Sequence, residues 1–292
     1  MKKLYLIIFI FLPNIAFAKI NIFTCESEWA NLAQEITSEK SNIFSATIYN
    51  QDPHHIQIKP SLIAKISEAD MVFCSGANLE SGWLPNLLKK AKKPTVKFGE
   101  SGYLMAADFV DKNQNQQNIN PHVHLDPRNI TKIAQEFNKR IQLLDPINAQ
   151  FYQKNYLEFK EKWQKSLDKW QNDAKKLAKM PIIIQHNAWL YLTNWLDLNV
   201  VAQIEEKPET SPSAKHLSKL LELAKNNQID LIIYAPFEDM RAINWLSKKT
   251  NIKAQELPFS IDESKNINDL FAIFDNILRI LQINKDTTAN QK

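Results

Sequence analysis

Hydrophobic and polar positions in the first part of the chain follow two alternating patterns, which predict strands and helices in turn. Short apolar runs predict strands, and apolar residues spaced three or four apart predict helices. The predicted strands are 20–24, 42–49, 71–74 and 94–98. The predicted helices are 26–39, 60–69, 79–91 and 128–144. This order indicates a parallel sheet with helices on both faces, in which strand 42–49 is buried on both sides.

The second half of the chain repeats the alternation. Its predicted strands are 181–185, 200–204, 229–234 and 253–257. Its predicted helices are 189–196, 213–226, 241–250 and 266–281. Two similar units of about 100–150 residues agree with the usual size of protein domains, so two α/β lobes are expected.

A long helical pattern lies between the two halves. Apolar residues recur every three or four positions from Ile147 to Leu177, without glycine or an internal proline. Such a helix would be roughly 45–50 Å long and could span both lobes. The wide, aromatic-rich stripe favours packing on a globular body over a coiled-coil arm. The predicted fold is therefore α/β, with two lobes joined by one long helix. The predicted segments are a signal peptide (1–18), an N-terminal lobe (19–143), a linking helix (144–179), a C-terminal lobe (180–284) and a disordered tail (285–292).

The first eighteen residues have the features of a secretory signal peptide. Lys2 and Lys3 precede an apolar run that is too short to span a membrane, and Ala16-Phe17-Ala18 is a small-x-small cleavage site. The mature chain would start at Lys19, and no cysteine follows the site directly, so a lipid anchor is not expected. We predict a soluble, exported protein, most simply in a bacterial periplasm.

Charge and glycine content exclude several classes of function. Without Lys2 and Lys3 the chain keeps 34 basic and 32 acidic residues, and its formal charge falls from +4 to +2. The basic residues are spread along helices and are not interleaved with aromatic residues, so a nucleic-acid partner is not expected. The four glycines all precede residue 103, and neither a phosphate loop nor a Gly-x-Ser-x-Gly elbow is present.

Five of the six histidines fall in three short motifs, each in a loop after a predicted strand. The motifs are Asp52-Pro53-His54-His55, Asn120-Pro121-His122-Val123-His124-Leu125-Asp126-Pro127 and Gln185-His186-Asn187. Ligands of α/β sheets bind at the carboxyl ends of strands, and neutral imidazole is a preferred ligand of zinc. The prolines before His54 and His122 restrict the backbone of these loops. The pattern predicts one metal site built from distant loops.

The two cysteines left in the mature chain, Cys25 and Cys74, each follow a strand-like run. If these strands are neighbours, the two thiols lie at corresponding strand ends and can form a disulfide, which export would allow. Two buried free thiols are the alternative. A role as metal ligands is less favoured because the histidine motifs already supply ligands.

Taken together, the motifs resemble the metal-binding solute-binding proteins of ABC importers, the zinc/manganese class. The resemblance covers essentially the whole mature chain. The segments that carry it are Asp52-Pro53-His54, Pro60-Ser61, Ala69-Asp70-Met71-Val72-Phe73, Gly76, Leu79-Glu80, Trp83, 120–127, His186-Asn187-Ala188-Trp189 and Pro212-Ser213-Ala214-Lys215. The combination is specific, although no single segment is.

This resemblance implies a function and a set of ligands. It implies that His54, His122 and His186 bind a transported zinc ion, since manganese members usually replace one histidine by a carboxylate. It also implies delivery of the ion to a membrane permease, and lobes that move little because the long helix braces them. We expect a monomer.

Some positions depart from the family pattern. Asn120 stands where the family often has aspartate, His124 replaces a tryptophan, and His55 is an additional imidazole. The late Asp-Pro ligand motif is missing, so the fourth ligand stays open: Asp262 is the first candidate, Glu238 a weaker one and water a third. An acidic, histidine-rich loop is also absent, and an Asn/Gln-rich segment, 111–120, that we expect to be a mobile loop takes its place.

The alternative function is an exported zinc-dependent hydrolase or lyase. His122 and His124, two residues apart on an extended segment, would point to the same side and form a three-histidine site with His186. Such an enzyme also needs a positioned general acid or base, and no glutamate is adjacent to a ligand histidine as in a His-Glu-x-x-His helix. A binding protein is therefore preferred to an enzyme. A binding protein for an organic solute would leave the clustered histidines unexplained.

Overall fold

Two parallel four-stranded sheets organise the chain. The computed structural model describes residues 19–111, 119–207 and 210–289, so the predicted signal peptide and most of the predicted loop at 111–120 lie outside the described residues. The strands of the first sheet are β1 (Ile20–Thr24), β2 (Ser41–Ser45), β3 (Met71–Cys74) and β4 (Tyr103–Met105). Those of the second are β5 (Pro181–Ile184), β6 (Asn199–Gln203), β7 (Leu231–Tyr234) and β8 (Ala254–Glu256). The strand orders β2-β1-β3-β4 and β6-β5-β7-β8 are equivalent, so the lobes share one topology.

Helices cover the faces of both sheets. Those that precede the linking helix are α1 (Ser27–Thr37), α2 (Pro60–Glu68), α3 (Leu84–Leu88) and α4 (Pro127–Leu144). The linking helix is α5 (Ala149–Ala174), and those that follow are α6 (Leu190–Trp195), α7 (Ala214–Asn226), α8 (Met240–Thr250) and α9 (Leu270–Ala289). Proline at the first position of α2 and α4 fits a helix start, where no backbone N–H is needed. Within the described ranges, no helix has the length and apolar character of a membrane span.

The linking helix α5 packs against both lobes. Its buried positions follow the predicted stripe: Tyr152, Tyr156, Phe159, Trp163, Leu167, Trp170 and Ala174. It contacts α1 and α4 of the first lobe and α9 of the second. Trp163 donates a hydrogen bond to the carbonyl of Pro127 (2.9 Å) and also lies 4.8 Å, centroid to centroid, from Phe271. The predicted α/β fold with two lobes and one long joining helix is confirmed.

Polar contacts also cross directly between the lobes. The Ser260 hydroxyl donates to the buried carboxylate of Glu28 (2.5 Å). The ring Nε2 of His124 lies 2.9 Å from the carbonyl oxygen of Phe259, and its Nδ1 lies 3.3 Å from Glu28. The backbone N–H of Leu270 donates to the Asn31 side chain (3.0 Å). These contacts fix the first lobe against the second beside the cleft.

The predicted disulfide is confirmed. Cys25 and Cys74 are bonded, with their Cα atoms 4.8 Å apart. Because β1 and β3 are paired neighbours, the two residues extend from corresponding strand ends, which is the condition under which the disulfide was expected.

Four predicted elements differ from the structure. The fourth strand is β4 and not 94–98, because Pro94 lacks an N–H and opens a 3-10 turn instead. Strand β2 ends at Ser45 and lies at the edge of its sheet, so it is only partly buried. Helix α3 covers only Leu84–Leu88 of the predicted 79–91.

The C-terminal segment is the fourth difference, since α9 continues to Ala289 through most of the predicted disordered tail. Tertiary contacts hold its last turns: Asn284 is buried and accepts a hydrogen bond from Lys253 (2.7 Å), and the ammonium of Lys285 contacts the carbonyl of Lys176. Residues 290–292 lie outside the described residues.

Candidate metal centre

The site lies where strand ends from both lobes converge. His54 is in the loop after β2, and His122 is in the segment between β4 and α4. His186 follows β5 by two residues, and Glu238 lies in the turn after β7. Parallel strands present their carboxyl ends at one edge of each sheet, and the two edges face each other across the cleft. Loops that are distant in sequence therefore meet.

Three imidazoles form a group that can hold a metal ion. One ring nitrogen each from His54, His122 and His186 lies within 4.8 Å of the other two. The ring centroids are 5.7 Å (His54–His122), 5.9 Å (His122–His186) and 6.2 Å (His54–His186) apart. A tetrahedral ion with ligands at about 2.0–2.1 Å needs nitrogens about 3.3 Å apart, so a small inward movement would complete the site.

The backbone of each ligand loop is held by local hydrogen bonds. The N–H of His54 donates to the Asp52 carboxylate (2.9 Å), and the indole of Trp83 donates to the Pro53 carbonyl (2.9 Å). In the same way, the N–H of His122 donates to the side chain of Asn120 (3.0 Å). Asx turns of this kind fix the direction of the following side chain. Asn120 thus orients His122 in the same way that Asp52 orients His54.

His186 is oriented by a carboxylate. Its Nδ1 is hydrogen-bonded to Oε2 of Glu205, which follows β6. This contact leaves Nε2 as the nitrogen that can face the cavity. A carboxylate behind a ligand histidine fixes the tautomer and raises the basicity of the ring.

His122 has an environment that suits a metal ligand. It is 2% exposed, and neither ring nitrogen has a hydrogen-bond partner. Burial lowers the pKa of His122 well below its usual value, and the nearby rings of His186, His124 and His54 add to the shift. The ring is therefore neutral at physiological pH, which is the form that binds metal. Since buried polar atoms are normally hydrogen-bonded, these two nitrogens indicate a ligand.

The cavity in front of the histidines measures about 280 Å³ and is acidic. Four acidic side chains line it together with the histidines: Asp52, Glu205, Glu238 and Asp239. None of the described lining residues is lysine or arginine. Burial raises the pKa of Glu238 to about 8, with the charges of Glu205 and Asp52 adding to the shift. Glu238 is therefore mostly protonated at neutral pH, and the other three carboxylates make the cavity attract cations and disfavour anions.

Asp262, the first candidate for the fourth ligand, is not brought to the three histidines. Its carboxylate accepts hydrogen bonds from the backbone and hydroxyl of Ser264 (3.1 and 2.5 Å) and lies 3.5 Å from Lys265. It lines a separate cavity with Tyr49. Among residues 19–111, 119–207 and 210–289, no carboxylate joins the three-histidine group.

The remaining two histidines of the motifs have different positions. His55 is exposed and lines the mouth of the cavity. His124 is buried behind the site, where its ring packs 5.1 Å from that of Phe259, which in turn lies 5.4 Å from His122. The expected set of an enzyme, His122 with His124 and His186, is therefore wrong, because His54 and not His124 completes the group.

Two residues of this site were not identified from the sequence, Glu205 and Gln185. The pairing of β5 with β6 could have identified Glu205. These strands pair Ile184 with Gln203, and the same offset of 19 residues places Glu205 beside His186. Gln185 ends an apolar run, and only the structure shows that it borders the cavity.

Comparison with known proteins agrees with this geometry. The family model described as ZnuA, zinc-uptake complex component A, periplasmic, matches residues 22–282. The manganese ABC transporter substrate-binding lipoprotein PsaA of Streptococcus pneumoniae is 28% identical over 265 residues, covering 87% of this chain and 84% of that protein. The metal ABC transporter substrate-binding lipoprotein ScbA of Streptococcus cristatus is 28% identical over 249 residues, covering 80% and 78%.

Solved structures share the fold. A crystal structure of ZnuA superimposes with a TM-score of 0.75 at 19% identity, covering 90% of this chain and 99% of that chain. A cadmium-bound periplasmic metal binding protein from Candidatus Liberibacter asiaticus gives 0.76 at 17% identity, covering 91% and 100%. The sequence relatives are substrate-binding components of importers, which confirms the expectation of a binding protein and not an enzyme. The chain belongs to the ZnuA family, and is a metal-type substrate-binding protein of an ABC importer.

Proposed function

We propose that the mature chain is a monomeric periplasmic protein that captures one Zn²⁺ ion at His54, His122 and His186 and delivers it to an importer permease. The observation that carries this proposal is His122, a buried and neutral imidazole whose two ring nitrogens have no partner. It lies beside two further imidazoles, and one ring nitrogen of each of the three lies within 4.8 Å of the others.

The donor set supports zinc over manganese. Imidazole nitrogen suits zinc, whereas manganese is better matched by carboxylate and water oxygens. No described carboxylate belongs to the three-histidine group, and Asp262 is directed elsewhere. Although relatives such as PsaA are named for manganese, the matching family model is named for zinc uptake. The signal-like segment 1–18 and the Cys25–Cys74 disulfide support export.

Isothermal titration calorimetry of chelator-treated protein tests this proposal. We expect one zinc ion to bind tightly, and manganese to bind more weakly in a direct competition. A triple variant, His54→Ala/His122→Ala/His186→Ala, should lose zinc binding, whereas His216→Ala, whose ring contacts the carbonyl of Gln203 outside the cavity, should keep it. Absence of heat with zinc, or undiminished binding by the triple variant, would refute the proposal. Tighter binding of manganese would refute the choice of metal.

A further inference from the structure

We propose that Glu238 and Gln185 complete the metal centre by holding a water molecule as the fourth ligand of the ion. This inference rests on the proposed zinc-binding function. Three histidines leave one position of a tetrahedral ion to be filled. The position faces the cavity, whose lining includes both Glu238 and Gln185.

Both side chains carry a buried oxygen that lacks a hydrogen-bond donor. Gln185 is only 9% exposed, and its Oε1 has no partner. Oε1 of Glu238 is likewise buried without a partner, and it is an acceptor once the positive charge of a bound ion has ionised the carboxyl group. Leaving a buried acceptor unsatisfied is unfavourable, so two in one cavity favour the binding of a donor there in the functional state.

A metal-bound water molecule supplies the donors that these oxygens lack. It has two O–H groups, which match the two acceptors in number. Coordination to the metal also polarises the water and strengthens the hydrogen bonds that it donates. One molecule can therefore bind the ion through its oxygen and satisfy Gln185 and Glu238 through its hydrogens.

Glu238 is placed to bind this water and not the metal. In the part of the chain that the structure describes, its carboxylate is not within the 4.8 Å group formed by the three imidazoles. The second oxygen, Oε2, accepts a hydrogen bond from the backbone N–H of Ala235 (3.1 Å), which ties the carboxylate to its own turn. A water molecule between the ion and this carboxylate would lie about 2.7 Å from its oxygen.

Gln185 is equally fixed. Its backbone N–H donates to the carbonyl of Ile233 (3.0 Å), and its carbonyl accepts from the N–H of Glu205 (2.9 Å). The residue thus continues the pairing of β5 with both of its neighbours. A side chain on a rigid segment keeps its acceptor in place before the ion arrives, which lowers the ordering cost of binding.

The experiment uses cobalt as a spectroscopic probe in place of zinc. Glu238→Ala should weaken zinc binding about 10–100-fold in a chelator competition, the range typical of partners that support metal ligands. In the cobalt-loaded variant, thiocyanate should displace the unsupported water and change the visible spectrum. The wild-type spectrum should not respond. Glu238→Gln, which keeps an acceptor oxygen, should retain most of the affinity.

Glu206→Gln is the control. Glu206 is exposed, does not line the cavity and accepts a hydrogen bond from Ser213, so zinc affinity and the cobalt spectrum should be unchanged. Gln185→Ala should behave like Glu238→Ala with a smaller loss. The melting temperature of each metal-free variant reports whether it folds. If Glu238→Ala is too unstable to measure, Gln185→Ala and the structure of zinc-loaded wild-type protein decide the question.

Three results would overturn this inference. The first is a zinc affinity of Glu238→Ala within twofold of wild type, with no response to thiocyanate. The second is the same pair of results for Gln185→Ala. The third is a crystal structure of the zinc-loaded protein in which a Glu238 oxygen binds the ion directly. Each leaves the proposed function intact if the triple histidine variant loses zinc, whereas zinc binding by that variant would refute the proposed function itself.

Discussion

Removal of Glu205 should weaken the proposed zinc binding although Glu205 is not one of the three proposed ligands. Its carboxylate holds Nδ1 of His186 and so presents Nε2 to the ion. In Glu205→Ala the ring can rotate or adopt the other tautomer, and its basicity falls. Supporting carboxylates of this kind contribute about 10–100-fold in affinity, which corresponds to about 1.4–2.7 kcal/mol.

Because His186 and Glu205 are shielded from water, the loss of zinc affinity in Glu205→Ala should be large enough to measure. The side chains of His186 and Glu205 are 19% and 10% exposed, so the loss should exceed that of a surface ion pair, which is below about 1 kcal/mol. Glu205→Gln keeps an acceptor for Nδ1 but loses the charge. Since hydrogen bonds to charged groups are stronger than neutral ones by about 1 kcal/mol, this variant should lose about fivefold in affinity.

Competition with a fluorescent zinc chelator at pH 7.5 measures the dissociation constant of wild type and of each variant. Glu206→Ala is the control, because Glu206 is the exposed neighbour and its carboxylate accepts a hydrogen bond from Ser213, not from a ligand histidine. The expected order of affinity is wild type and Glu206→Ala, then Glu205→Gln, then Glu205→Ala. If Glu205→Ala binds zinc within twofold of wild type while His186→Ala does not bind, the carboxylate does not support this ligand.

Two further predictions concern stability. Zinc at a free concentration 1,000 times its dissociation constant should stabilise the fold by about 4 kcal/mol. A calorimetric melting temperature that does not change with zinc would contradict zinc binding by the native state. Burial raises the pKa of Glu26 well above 4.5, and repulsion from Glu80 and Glu28 adds to the shift. The stability that protonated Glu26 contributes is therefore present at low pH and is lost as the pH rises from 4.5 through the pKa of the folded state. Glu26→Gln should therefore be more stable than wild type in urea at pH 8 and not at pH 4; equal gains at both would contradict this reasoning.

The meeting of the three histidines could be predicted because it depends on topology. His54, His122 and His186 are far apart in sequence, but each lies in a loop beyond the carboxyl end of a parallel strand, and such loops converge whatever their exact conformation. The disulfide was predictable for the same reason, since paired strands carry Cys25 and Cys74.

Features that depend on the path of a single loop could not be predicted. The region after β8 turns back on itself through a pairing of Asp262 with Ile267, which keeps the Asp262 carboxylate beside Ser264 and away from the metal centre. Likewise, Pro94 begins a turn that delays the fourth strand to Tyr103. The hydrogen bonds that the local backbone can or cannot form determine both structures, and the spacing of hydrophobic residues does not reveal them.

The packing of α5 also limits how the metal-loaded protein can differ in shape from the metal-free protein. A hinge motion of the lobes would uncover the stripe around Trp163 and Trp170, at a cost of about 25 cal/mol for each Å² of apolar surface. We therefore expect loading to change the outline of the molecule very little. What it changes is the potential at the cleft, where an acidic cavity gains two positive charges. A permease would then sense the cargo through an electrostatic signal and small movements of the loop that carries His54.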